Sequence, residues 1–544
     1  MSLSRRALLK VAAAAVGVAA VPSWLWQRSR SAVRRLAGVV PINRSVPGAG
    51  TTVFSGDNPD SVHQLLWDVP AYLRAHGVSP LEHATPDERI PLVIVGGGMS
   101  GLATAWLLRD REPLLLERAD RFGGNARGES WQGVDYAIGA AYLLEADAGS
   151  PLEQMYREWG IADLCRIKTE DDPVLVEGTI HHDFWSGESD PEAAEQFTRV
   201  RDHFLAIWNE EGDAFYPEIP AEDPELLARV AQLDRVDFRS HLEAAMGGPL
   251  HPHVVAVLDH YCWSSLGARW DEVSAAAGLN FFAAEFGNVM VAPGGNAAVA
   301  GRVVELLHRE LPGDRMRTGM TVFSVVVRDD GVMVGYADAD GVPHTVLAQA
   351  VALCCPKFVV KRILQDIEPE RSAAIARLRY RSYLLANVLL DTEPRDSFYD
   401  LFLADADPSR ATDVVTATWA RPVPGRSVLT LYRGLPYDGA RPALLTADAH
   451  RRIEAEFEVQ IRNEILPALG IDAAHLIGLR LTRWGHPLPL AAPGLLADGV
   501  PQVLRRPHRD RVFFIEQDNW ALPAIETSLG EAAHFAPMIR AALG

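Results

Sequence analysis

The chain has 544 residues, enough for two or three domains around a large core, and 48% hydrophobic with 23% charged residues is the balance of a folded protein. A formal net charge of -19 argues against nucleic-acid binding, because a phosphate-contacting surface needs an excess of Lys and Arg. The four cysteines, Cys165, Cys262, Cys354 and Cys355, form no CxxC, haem-attachment or zinc spacing, so neither a disulfide framework nor a metal centre is expected.

Ser4-Arg5-Arg6-Ala7-Leu8-Leu9-Lys10 precedes VAAAAVGVAAV, a weakly apolar segment that ends at Pro22. A basic start followed by an apolar stretch too short to span a bilayer is the pattern of an export signal. The double arginine, the preceding Ser and the following Leu-Lys resemble a twin-arginine signal. That resemblance implies the twin-arginine export machinery as a partner and a periplasmic or exported protein that folds around its cofactor before crossing. Val18-Ala19-Ala20 is the best cleavage candidate. If the segment stays uncleaved, Trp24 and Trp26 would hold it at the membrane interface. Residues 39–90 read as a linker carrying one amphipathic helix around SVHQLLWDVPAYLRAHG, ending at Gly77.

PLVIV, residues 91–95, is a continuous apolar run suited to a buried parallel strand, and Gly96, Gly98 and Gly101 follow it at GxGxxG spacing. Gly96 permits a tight turn, Gly98 lets the backbone approach a pyrophosphate, and Gly101 lets the next helix pack on the strand. That helix starts near Met99 and Ser100, so its unpaired N–H groups and positive dipole end face the phosphates. PLLLE then supplies a second strand ending in Glu117, an acid 21 positions after Gly96. A carboxylate there accepts from ribose hydroxyls and repels a 2′-phosphate, which leaves FAD or NAD and excludes NADP.

ERADRFGGNARG follows at once, then VDYAIGAAYL. An Arg-x-Gly-Gly doublet downstream of the acid resembles the flavin amine oxidase and phytoene desaturase superfamily, in which the doublet approaches the FAD pyrophosphate. The resemblance implies FAD, with Arg118, Gly123, Gly124, Asn125 and Ala126, then Gly139, Ala140, Ala141 and Tyr142, among its contacts. It continues along the chain. VAPGGNAAVAGRVVELL resembles the family's PxGG segment leading a helix, and TGMTVFSVVV resembles the strand whose Val322 backbone bonds the adenine. AVALCCPK looks like the strand ending in Pro that follows. RVFFIEQDNWALPAIETSLGEAAHFA resembles the closing motif: a strand, an acid near the ribityl chain, and a helix beginning near Ala524 and Ile525 that faces the flavin. Glu516 and Asp518 compete for the acid, with Asp518 preferred at the strand's end, although Gln517 stands where the motif has Gly.

The fold class implied is α/β: a discontinuous Rossmann-like FAD domain of the glutathione-reductase type over residues 91–145, 285–365 and 485–544, interleaved with an α+β substrate domain over 146–284 and 366–484. Within the superfamily, FGGNAR, GAAY, YLLANVLL and RWGHPLP look most like the spermidine dehydrogenase and polyamine oxidase branch, which implies a small amine substrate. RYRSYLLANVLLD occupies the place where many amine oxidases carry a lysine that holds water at the flavin; Asn387 is the nearest polar residue here. The missing lysine favours a dehydrogenase passing electrons to an unidentified acceptor. RWGHPLP resembles the family's W-x-x-A-x-P loop beside the flavin ring. Trp484 would wall an amine site through its aromatic face, and His486 would accept the amine's proton. Trp520 is a further aromatic candidate. His251, His253 and His260 match no common metal-ligand set on one helix face. Two other readings remain open: a carotenoid or isoprenoid desaturase with an apolar tunnel, and a non-enzymatic flavoprotein.

Overall fold

An unbroken run of apolar residues can satisfy water on neither face, so it becomes a strand covered on both. Residues 92–95 do so inside strand β1 (Glu88–Val95), the centre of a sheet in a computed structural model that describes residues 39–41, 53–58, 65–404 and 410–544. Arg5, Arg6, Val18-Ala19-Ala20, Trp24 and Trp26 lie outside the described residues, as does the start of the SVHQLLW segment.

The chain enters this sheet, leaves it and returns twice. Helix α1 (Met99–Leu107) follows β1 and leads to β2 (Leu114–Glu117). The chain then departs through helices α2 (Pro252–Leu266) and α3 (Ala275–Ala284) and comes back with α4 (Asn296–Glu310) and β3 (Met316–Thr318). A meander follows, β4 (Thr321–Arg328), β5 (Gly331–Ala337) and β6 (Pro343–Leu353). A second excursion lays down β7 (Tyr380–Leu390), β8 (Asp413–Thr416), β9 (Ser427–Leu435) and β10 (Leu476–Pro489). The chain closes with β11 (Val512–Phe514) and α5 (Ile525–Leu543).

Strands β3, β2, β1 and β6 are parallel neighbours. The first half of β6 pairs antiparallel with β5, and its second half pairs parallel with β11. Register aligns the carboxyl ends: Val95 lies opposite both Leu116 and Leu353, and Leu353 opposite Phe514. Every segment that follows those ends therefore emerges on one edge, where open α/β sheets bind their ligands.

The excursions build a second sheet of eight strands, with β7 paired along its length to β9 on one side and β10 on the other. Its far members are a hairpin, Val174–Val176 with Thr179–His181, and the distant strand Phe402–Leu403. Helix α2 packs so closely on β9 that a Cβ on Gly434 would sit 2.1 Å from the Trp263 carbonyl oxygen.

Three expectations change in detail. RWGHPLP is the end of strand β10, not a loop, so the second domain keeps it. The segment expected to be linker supplies edge strands: Val39–Pro41 pairs with residues 128–130, and Ser55–Gly56 with Thr482 and Arg483. The amphipathic helix is interrupted at Asp68: residues 65–67 are helical, and a further piece, Val69–Ala75, is capped by Asp68, which accepts from Ala71 N–H at 2.9 Å. Free edges offer unpaired N–H and C=O groups, and a nearby extended linker satisfies them.

Replacing Gly434 by Ala forces α2 off the sheet. Overpacking of this kind costs ~1–3 kcal/mol, so thermal denaturation of Gly434→Ala is expected several degrees below the wild type.

Candidate active site

At the carboxyl edge of the first sheet, two turns meet backbone to backbone. A Cβ on Gly101 would lie 1.9 Å from the Gly96 oxygen, which is why α1 can lean on β1. Gly98 forms a bridge with Gly123, and Gly123 N–H donates to the Gly97 oxygen at 2.8 Å. Gly124 has φ +59°, and a Cβ there would stand 2.9 Å from Gly98 Cα. Helix α1 starts at this contact with no side-chain cap, so its first N–H groups remain for an anion. Buried Arg127 adds positive charge; its Nε donates to the Gly124 oxygen at 2.6 Å, and burial pulls its pKa down while Glu117 and Asp57 hold it up.

Glu117 is fixed by Gly97 N–H on one oxygen and Ala119 N–H on the other, each at 2.7 Å, with lone pairs left for hydroxyl donors. Val322 sits where the register of β4 with β5 shifts, a bulge that disrupts the ladder. Asp518 accepts from Lys357 N–H at 2.9 Å and from the Tyr380 hydroxyl. Glu516, its rival for the acidic role, is tied to the buried Lys357 ammonium, and burial pushes its carboxyl well above the usual range. Helix α5 also begins without a side-chain cap, and Thr527 Oγ1 in its first turn is buried with no partner. Uncapped helix ends, an orphaned hydroxyl, a fixed ribose-type carboxylate and a cradle that any Cβ would fill together fit FAD.

These groups line a cavity of about 1250 Å³, larger than the ~300–1,000 Å³ that a drug-sized ligand needs. Every cofactor position expected from sequence lines it except Gly101, which lies beneath the turn. Trp484 and His486 are on its wall. Trp484 Nε1 donates to the Ile138 oxygen at 2.7 Å with the Arg127 guanidinium 5.1 Å from its ring, and the His486 ring lies 4.5 Å from that of Phe358.

Asn387 requires correction. It is fully buried and donates to the Ala137 oxygen and to Thr430 Oγ1, at 3.0 and 2.9 Å, and it is not part of the cavity wall. Alternation along β7 puts Tyr383, Leu385 and Asn387 on one face, and of these Tyr383 and Leu385 reach the wall while Asn387 lies farther along the strand. Trp520 is likewise core, its Nε1 donating to Glu531. The His251, His253 and His260 rings meet Asp190, Ser189 and the Leu403 oxygen, and no metal-holding group occurs among the described residues.

Sequence reasoning missed the acidic end of the cavity. Glu285 Oε1 accepts from both Tyr142 and Tyr261 hydroxyls, each at 2.7 Å. Asp400 and Asp413 line the wall nearby, 7% and 5% exposed. Burial raises both carboxyls, Asp413 to about 7, and Asp413 raises Asp400 further. One signal was present. Glu285 terminates the apolar helix AAAGLNFFAA, and an acid at a helix C-terminus opposes the dipole, so something other than helix stability keeps it there.

Two predictions follow from this geometry. Gly124→Ala is expected to weaken FAD binding at least ~10-fold, or about 1.4 kcal/mol, read as the ratio of flavin to protein absorbance after dialysis. The second concerns pH. Unfolded aspartate titrates near ~3.9, whereas folded Asp413 titrates at about 7. Between those values the fold binds more protons than the unfolded chain, so this carboxyl's contribution to stability falls as pH rises. Asp413→Asn cannot ionise, and its thermal midpoint should decline less than the wild type's across that window.

The comparisons with known proteins agree with this site. Oxidoreductase PigB of Serratia sp. (strain ATCC 39006) is 22% identical over 518 residues, covering 83% of this chain and 75% of that protein. Wild-type putrescine oxidase bound to putrescine superposes with a TM-score of 0.61 at 18% identity, over 83% of this chain and 99% of that one. Cyclohexylamine oxidase from Brevibacterium oxydans IH-35A gives 0.61 at 19% identity, over 83% of this chain and all of that one. Residues 99–513 match the model of the flavin containing amine oxidoreductases. The chain belongs to that family and is an FAD-dependent oxidoreductase.

Proposed function

We propose that the protein is an exported enzyme that oxidises an amine, with polyamines as the preferred class, and delivers the electrons to an acceptor other than oxygen. The observation that carries this reading is the placement of Glu285, Asp400 and Asp413 on the wall of the cavity that also contains the FAD cradle. Carboxyl groups in a buried cavity attract and hold a cation. A polyene would have to bury apolar surface against them, which disfavours a desaturase.

FAD, when bound, supplies the hydride acceptor. The chain's own residues bind, orient and deprotonate. Tyr142 and Tyr261 lock Glu285 in place, Trp484 offers an aromatic wall to the incoming ammonium, and His486 on the same wall takes the proton that the reacting nitrogen must lose. The lysines of the chain are Lys10, Lys168, Lys357 and Lys361, and among the described residues none lines the cavity. Among the described residues no lysine is therefore placed on that wall to hold water at the flavin, which supports an acceptor other than oxygen. Export rests on the Arg5-Arg6 signal.

Purified protein should be yellow and should lose that colour without oxygen when amines are added, recovering it faster with a quinone or dye than with air. Bleaching by a polyene precursor alone would replace this reading with a desaturase. For export, changing Arg5 and Arg6 together to Lys is expected to retain the protein in the cytoplasm, seen by cell fractionation.

A further inference from the structure

Two sheets meet at the cavity, and a segment upstream of both crosses from one to the other. Ser55–Gly56 pairs parallel with Thr482 and Arg483 of β10. The Ser55 and Thr482 hydroxyls hydrogen-bond each other at 2.7 Å, and Asp57 N–H donates to the Arg483 oxygen at 2.9 Å. Gly56 has φ +91° and lies so close to β10 that a Cβ would stand 2.4 Å from that same oxygen. The chain continues onto the cavity wall, where both Asp57 and Asn58 lie. Asp57 Oδ2 accepts from Gly485 N–H at 2.6 Å, and the Asn58 backbone oxygen accepts from Arg118 Nη1 at 3.4 Å.

These two bonds reach opposite sides of the cavity. Gly485 stands in the second sheet between the wall residues Trp484 and His486, and Arg118 directly follows Glu117 at the edge of the first. Arg441, also on the wall, donates from Nε to the Gly485 oxygen at 2.8 Å, so Asp57 and Arg441 hold the two backbone groups of one residue. Burial pulls the pKa values of Arg127 and Arg441 down, and the Asp57 carboxylate opposes it in both. A two-residue edge pairing with a few side-chain bonds is a contact that opens locally while the rest of the fold stays intact. We infer that Ser55–Asn58 form a strap across the cofactor cavity: FAD is retained while the strap is bonded to Gly485 and Arg118, and leaves when the strap lifts from β10. The strap requires FAD and no particular substrate, so it stands apart from the amine reading.

The test dilutes the FAD-loaded full chain into buffer without FAD and follows release by the rise in free-flavin fluorescence. Asp57→Ala removes the bond to Gly485 and should speed release at least ~10-fold, the loss of one charge-assisted hydrogen bond, with the thermal midpoint of the apoprotein unchanged. Ser55→Cys combined with Thr482→Cys puts thiols where the hydroxyl oxygens are 2.7 Å apart, so a disulfide can hold the strap down. Release from the oxidised pair should be several-fold slower than from the wild type and should recover on reduction, which reads the strap even if Asp57→Ala fails to fold. Wild-type release from Asp57→Ala, faster release only in step with a lower apoprotein midpoint, or equal release from the oxidised and reduced cysteine pair overturns the strap.

Discussion

A pyrophosphate can be held by backbone N–H groups only where no side chain intervenes, and the chain meets that demand by laying Gly98 against Gly124. The contact joins the turn after β1 to the turn after β2, both of which leave the sheet at its carboxyl edge. It also fixes what must surround it. Helix α1 has to begin at Gly98, Glu117 has to hang from the Gly97 amide, and Arg127 has to reach back to the Gly124 oxygen. The second sheet contributes to the same cavity through residues that include Tyr383, Leu385, Asp413, Tyr432 and Trp484.

The cavity is electrically two-ended as a result. Around the glycine turns the wall presents helix N-termini and Arg127, which favour anions. The same wall presents Glu285, Asp400 and Asp413, which favour cations. FAD would bring negative charge to the first group and, under the proposed function, an amine would bring positive charge to the second, so each ligand would neutralise its own part of the wall. Burial raises the pKa values of Asp400 and Asp413, and among the described residues no Lys or Arg forms an ion pair with either to bring them down.

The cofactor half was legible because its signals are local. PLVIV, the glycine spacing and Glu117 lie within thirty residues and each has a single physical task. The substrate half was not, because its sheet gathers pieces as short as Ser55–Gly56 and Phe402–Leu403 that no periodicity marks. RWGHPLP read as a loop because it resembles the family's W-x-x-A-x-P loop. The prolines fall beyond Arg483, where pairing with Ser55–Gly56 stops and the register with β7 has shifted, a strand end that tolerates them. Asn387 misled because its face of the strand was right but its position along it was not: two residues past Leu385, it meets the Ala137 oxygen instead of the cavity. The acidic wall draws on residues more than a hundred positions apart, which only the fold brings together.

Interleaving the two domains has an energetic consequence. Strand β10 belongs to the second sheet, yet Gln517, just past β11, donates to the Pro487 oxygen at its end, at 3.0 Å. Arg480 in the same strand pairs with Glu129 beside the first sheet at 3.0 Å, and Asn387 on β7 donates to the Ala137 oxygen. The segments that shape the substrate wall are therefore bonded to those that flank the cradle. Binding of FAD to the cradle stabilises the fold by mass action, and those bonds extend the stabilisation to the wall where the amine must be held.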